Sequence, residues 1–223
     1  MTILFAYITD KQAAVACDGH IVRNSDDLII ADDKDKTFYL RDHTIVGAFS
    51  NNMSVDHSVY GSVDIGTIIS RVSEDIQILP SFNMFVDRLI DSYQNVLNSK
   101  ETFGPSISCR SSNILLAASK HFDGKDFEIY CLRFSFKSEK NRIFLANKEG
   151  PFSGYGHWYV DPPDGELESI SNAIQDDFEK LPQGLTIEQI ACRGIDIGLK
   201  TSKIQKANGK FLGGKISVKS TVF

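Results

Sequence analysis

Residues 1–19 read MTILFAYITDKQAAVACDG. Residues 2–8 are almost wholly apolar and rich in β-formers, and residues 13–17 form a second short apolar run. Between them Thr9-Asp10-Lys11-Gln12 is polar and turn-like, so the two runs read as a tight β-hairpin. A turn centred on Asp10 or on Asp10-Lys11 makes cross-strand partners sum to 20 or 21, which sets Thr2 opposite Asp18 or Gly19. Directly opposed residues bring their Cβ atoms to within about 4.5–5.5 Å. A hydroxyl at the tip of a buried strand is thereby held beside a carboxylate.

The chain of 223 residues is expected to form one domain with a sizeable core. Hydrophobic residues make up 42% and charged residues 24%, an ordinary globular balance. The net charge of −5, without a basic stripe carrying interleaved aromatics, points away from nucleic acid. No basic, apolar leader and no run of 18 apolar residues is visible, so neither secretion nor a membrane span is expected. Cys17, Cys109, Cys131 and Cys192 are widely spread without a CxxC pair, as suits free thiols in the cytoplasm.

Beyond Asp18 the stretch GHIVRNSDD reads as a polar loop. Strands are expected at residues 36–40 and 44–50, joined by a turn at Arg41-Asp42. A weak helical period, Ile65, Ile68, Ile69, Val72 and Ile76, spans residues 52–79, although Gly61 and Gly66 obscure its start. Pro80 opens a clearer helix whose stripe includes Phe82, Phe85, Val86, Leu89, Ile90 and Tyr93, ended by Gly104-Pro105. Strands return at 112–119, 127–136 and 142–146. EGPFSGYGH then reads as a glycine-containing turn before helices at 166–178 and 186–201, the second opened by a Thr186/Gln189 capping box. A last strand lies in KISVKSTVF. Runs of strands followed by runs of helices mark an α+β fold, and strands apolar on both faces predict a four-layer αββα sandwich.

Several chemistries are excluded. GKFLGGK (residues 209–215) has phosphate-loop spacing, but Ile216 replaces the required Ser or Thr and no helix can follow. His20, His43, His57, His121 and His157 are isolated, so no metal or other cofactor is expected. There is neither a GxSxG elbow nor a GxGxxG turn after a strand.

What remains is the N-terminus. MTILFAYITDKQAAVACDG, followed by KTFYLRDHTIVGAFSN, resembles the opening of proteasome β-subunits and of the HslV peptidase, which are N-terminal nucleophile hydrolases. Farther along, ILLAASKHFDGKDFEIYCL, FSGYGHWYV and FLGGKISV resemble the family's central hairpin, glycine-rich turn and last segment. The resemblance implies a threonine peptidase in which Thr2, freed by removal of Met1, is the nucleophile and its own α-amine the base. It implies Asp18 as the acidic residue and Lys36 as the site lysine after a small insertion, with Lys34 as the competing choice. Backbone N–H groups near Ser50-Asn51 are implied as oxyanion donors. Implied partners are a peptide or unfolded-protein substrate, further copies in a homo-oligomeric ring, and an ATPase. The chain also departs from the family. Tyr155 stands where the turn offers a Ser, and NGKFLGG, with Asn208, Gly209 and Leu212, stands where an Asp-x-x-Ser supports the site. These departures favour the alternative of a catalytically inactive homologue acting as a structural or binding module.

Overall fold

The computed structural model describes residues 2–23, 28–40, 43–50, 54–57, 61–64, 87–88, 91, 102–105, 111–118, 128–135, 142–145, 156–163, 165–203 and 212–222. β1 (Leu4–Ile8) and β2 (Gln12–Cys17) form the expected hairpin. The Thr9 N–H donates to the Gln12 carbonyl at 2.8 Å, while Thr9 Oγ1 accepts from the N–H groups of Lys11 and Gln12 at 3.2 and 3.0 Å. The turn therefore centres on Asp10-Lys11, and Leu4 pairs with Cys17. Continued by two residues, this register sets Ile3 opposite Asp18 and Thr2 opposite Gly19.

Next along the chain come β3 (Ile21–Arg23), β4 (Leu28–Ala31), β5 (Thr37–Leu40), β6 (Ile45–Ser50), β7 (Ser54–His57), β8 (Gly61–Asp64) and β9 (Thr102–Pro105). β10 (Ser111–Ala118), β11 (Glu128–Ser135), β12 (Arg142–Leu145) and β13 (His157–Asp161) precede helices α1 (Leu167–Phe178) and α2 (Ile187–Thr201) and the last strand, β14 (Ser217–Val222). One sheet has the order β13-β1-β2-β14, and a second has the order β12-β11-β10-β6-β5. Small sheets β3-β4 and β8-β7-β9 complete the described strands. All described pairs are antiparallel, which makes the fold α+β.

Alternation along β1 divides the core. Ile3, Phe5 and Tyr7 join Trp158 and Val160 of β13 against Ile170, Ile174 and Phe178 of α1 and Ala191 and Ile195 of α2. The intervening Leu4, Ala6 and Ile8 face the second sheet, where Val46, Ala48, Leu115, Ala117 and Ile129 meet them. Helices, first sheet and second sheet are thus three successive layers, and β1 is apolar on both faces because both are covered. Phe5 lies between Trp158 and Phe178, with ring centroids 6.1 and 5.8 Å away. Burying such side chains contributes about 1.5–3 kcal/mol each. Gly194 permits this packing, since a Cβ there would stand 2.7 Å from the Phe5 ring.

α2 opens as expected: Thr186 Oγ1 accepts from the Gln189 N–H, and Gln189 Oε1 accepts from the Thr186 N–H. Other expectations need correction. The stretch after Asp18 is not simply a polar loop, because Ile21–Arg23 and Leu28–Ala31 pair as a short hairpin. The helical period assigned to residues 52–79 does not hold at its start, where Ser54–His57 pairs with Gly61–Asp64. Val55 and Val63 are β-branched and Gly61 is a weak helix former, so cross-strand hydrogen bonds prevail over a weak stripe. Gly104-Pro105 is no helix stop, since both lie in Thr102–Pro105, which pairs with β7. HWYV, placed with the glycine-rich turn, belongs to β13, which pairs with β1 from Leu4↔Asp161 to Ile8↔His157.

Asp87, Arg88 and Asp91 of the helix expected after Pro80 are helical and exposed. Its apolar stripe lies outside the described residues, as does the turn at Arg41-Asp42. Among the described residues no helix is long and apolar enough to cross a membrane.

Candidate active site

Two edges of the fold meet at Thr2. Lys36 immediately precedes β5, and its carbonyl accepts from the Phe49 N–H of β6 at 3.0 Å, which anchors its backbone. Its side chain runs inward and is only 3% exposed. Lys36 Nζ donates to Thr2 Oγ1 at 2.8 Å, to the Asp18 carbonyl at 3.0 Å and to the His20 carbonyl at 2.7 Å. An ammonium has three donors, and all three are used. Lys34, the competing lysine, is exposed, and its backbone N–H donates to the Gly19 carbonyl at 3.2 Å. Geometry therefore brings Lys36, not Lys34, to Thr2.

The Asp18 carboxylate is fully buried. Asp18 Oδ1 accepts from the Ile3 N–H at 2.8 Å and Oδ2 from the Gly213 N–H at 3.2 Å. The acid therefore fastens the backbone beside Thr2, while its carbonyl holds the lysine. Burial raises the Asp18 carboxyl above its usual range, opposed by the charge of Lys36 and by the two N–H donors. Burial likewise lowers Lys36 below the ordinary lysine value, with the Asp18 charge opposing. Cys17, one residue away, is pushed up to about 12 by burial, so its thiol stays protonated and unreactive.

The glycine turn before β14 completes the support. Gly213 and Gly214 have φ of +130° and +76°, a region that favours glycine. A side chain on Gly213 would meet the His20 ring, and one on Gly214 would overlap the Asp32 carbonyl. The bare turn comes close enough for Gly213 to accept from the His20 N–H at 3.0 Å and for the Lys215 N–H to donate to Asp32 at 2.6 Å. Nearby, Asp35 Oδ1 accepts from the Thr37 N–H at 2.8 Å, and Asp35 Oδ2 pairs with Lys219 Nζ of β14 at 2.7 Å. These bonds brace the backbone on either side of Lys36.

Ser50, 3% exposed, ends β6, while Asn51 lies outside the described residues. Tyr155, Asn208 and Gly209 also lie outside them. Leu212 is fully buried in the helix-side core.

A polar pair that the sequence did not reveal lies at the same end of the sandwich. Asn113 of β10 is directly opposite Ser50, and its Nδ2 donates to Asp161 Oδ2 of β13 at 2.7 Å. The alternation of HWYVD, between Gly156 and Pro162, was the signal that could have exposed Asp161 as a strand residue. Among the described residues no cluster of His, Cys, Asp and Glu could hold a metal ion.

The sequence matches no family model, and no curated protein matches it. Solved structures do resemble the chain. Anbu (ancestral beta-subunit) from Yersinia bercovieri has a TM-score of 0.57 at 13% identity, covering 98% of this chain and 80% of that one. Thiobacillus denitrificans BPH in complex with epoxomicin has a TM-score of 0.55 at 10% identity, covering 99% and 98%. An Anbu (Gly-1) mutant from Hyphomicrobium sp. strain MC1 gives 0.55 at 9% identity, covering 100% and 87%. At such identities the likeness concerns the fold, an α+β arrangement of the proteasome-like kind.

Proposed function

We propose that the chain is a proteasome-type threonine peptidase, an N-terminal nucleophile hydrolase of peptide or unfolded-protein substrates. The observation that carries this reading is the buried Lys36 ammonium donating to Thr2 Oγ1 at 2.8 Å. A threonine hydroxyl is a poor nucleophile until a base takes its proton, and Thr2 has a free α-amine only once Met1 is gone. That amine has an unperturbed pKa of ~7.7–8.0, close to ideal for a base at neutral pH.

In the proposed reaction the amine takes the hydroxyl proton as Oγ1 attacks the scissile carbonyl, and then gives it to the departing amine. Water hydrolyses the resulting ester. Lys36 supplies positive potential that favours the alkoxide and the neutral amine. The backbone N–H groups at Ser50-Asn51 receive the developing oxyanion.

The chemistry is tested with epoxomicin, the compound present in the BPH complex. Intact mass of the cellular protein is expected to show loss of Met1, and incubation to add one inhibitor molecule at Thr2. A folded, Met1-free protein that forms no adduct overturns the peptidase. Leu212, buried where the family carries a serine, favours the second reading, an inactive homologue serving as a structural or binding module. The same negative result would support it.

The proposal extends to architecture and setting. The chain forms a single proteasome-like domain whose fourth layer is the helix containing Asp87, Arg88 and Asp91. It works in the cytoplasm as a homo-oligomeric ring, with an ATPase as a possible supplier of unfolded substrate. By analogy with the fold, six or more copies are expected in sedimentation velocity at micromolar concentration and physiological salt. A monomer there would remove the ring.

A further inference from the structure

Side chains of four strands converge at one end of the gap between the two large sheets. Along β1 and the residue before its pairing begins, the even positions face the second sheet: Leu4, Ala6 and Ile8 lie in the intersheet core, and Thr2 continues their parity. On β13, Tyr159 packs into that core while Trp158 and Val160 face the helices, so Asp161 shares the intersheet side. On β10, Leu115 and Ala117 occupy the intersheet core, which sets Asn113 on the same side. On β6, Val46 and Ala48 do so, and Ser50 follows them. The registers Leu4↔Asp161 and Asn113↔Ser50 then place Asp161 beside the Thr2 strand and Asn113 beside the Ser50 strand end. Between the two sheets runs the 2.7 Å bond from Asn113 Nδ2 to Asp161 Oδ2.

We propose that Asn113 and Asp161 are positioning residues, a cross-sheet clasp that fixes the separation of Thr2 from the Ser50 strand end. The catalytic consequence of this clasp rests on the peptidase reading above; its geometric consequence does not.

Lys36 links Thr2 to β6 on the β5 side, through its ammonium on Thr2 Oγ1 and its carbonyl on the Phe49 N–H, and the clasp adds a second directional link on the β13 side. Leu4, Ala48, Leu115 and Ala117 supply apolar packing, which is non-directional. A hydrogen bond to a carboxylate is directional and about twice as strong as a neutral one, and Asp161 is 2% exposed, so water does not substitute for it. An attacking oxygen and an oxyanion donor on different sheets must keep one spacing, and a misplacement of about 1 Å can lower turnover on the order of 10²-fold. The clasp joins the neighbours of the two strands that carry these groups, β13 beside β1 and β10 beside β6.

The experiment compares Met1-free wild type with Asn113→Leu and with the exchange Asn113→Asp/Asp161→Asn, which restores an amide–carboxylate bond in the opposite sense. Crystal structures give the distance from Thr2 Oγ1 to the Ser50 Cα. Steady-state kinetics give kcat and KM, and denaturant midpoints report the fold. Asn113→Leu is expected to shift the distance by more than ~0.5 Å and to lower kcat on the order of 10²-fold, with KM changed less than about threefold. The exchange is expected to restore the distance and most of kcat. Should Asn113→Leu fail to fold, Asn113→Ser carries the same expectation.

An unchanged distance in the single variant overturns the clasp. So does an exchange variant that re-forms the bond yet leaves kcat as low as the single change. A wild type that hydrolyses no peptide removes the peptidase reading, and the measured distances still decide the clasp.

Discussion

Met1-free protein carrying Thr2→Ala is expected to hydrolyse no peptide, while Thr2→Ser keeps measurable turnover. The alanine variant lacks the attacking atom, and loss of a nucleophile costs on the order of 10⁴-fold or more in rate. The serine variant keeps a hydroxyl within reach of Lys36 Nζ, which donates to Thr2 Oγ1 at 2.8 Å. Folding should survive both changes. Thr2 lies before the first paired residue of β1, and Lys36 retains the Asp18 and His20 carbonyls as acceptors. The lost hydrogen bond, donated by a charged ammonium, contributes about 1.5–3 kcal/mol. Peptide hydrolysis is the measurement, with circular dichroism as the folding control. Undiminished turnover by folded Thr2→Ala would rule out Thr2 as the nucleophile.

Lys36→Ala is expected to abolish turnover, and Lys34→Ala to leave most of it. The first removes the ammonium that touches Thr2 and leaves the buried Asp18 carbonyl and the half-buried His20 carbonyl without this donor. The second removes an exposed side chain whose backbone N–H, the group that bonds Gly19, stays in place. Where Lys36→Ala folds poorly, Lys36→Met keeps the aliphatic stem in its slot and removes only the charged head. Equal activity in the Lys34 and Lys36 variants of folded protein would sink the assignment of Lys36.

The parts of the fold legible in the sequence were those written in local pattern. The β1–β2 hairpin followed from two apolar runs around Asp10-Lys11, and its register carried Thr2 and Asp18 to one place. The α2 capping box was readable from Thr186 and Gln189 alone. Lys36 could be separated from Lys34 only with a resemblance in hand, because both sit in the acidic run DDKDK. Its three acceptors belong to residues 16 to 34 positions away. The strand His157–Asp161 was missed because the glycines before it suggested a turn, whereas its partner is β1, at the other end of the chain. With that strand went Asp161, whose amide partner Asn113 is 48 residues away on a different sheet. Period and propensity report which face of an element is apolar. They do not report which element will cover it.

The bond from the Gly213 N–H to Asp18 spans 195 positions and has a consequence in time. Synthesis delivers Thr2, Asp18 and Lys36 first, but the donor that steadies the acid emerges from the ribosome more than 170 residues after Lys36. The strand Asp161 closes against β1 is also late. At roughly 5–20 residues per second, the growing chain carries Thr2 for on the order of ten seconds before the pieces packed around it exist. Chains still being made, and neighbours crowded on the same message, are thus not exposed to an assembled site. Delay is built into the topology.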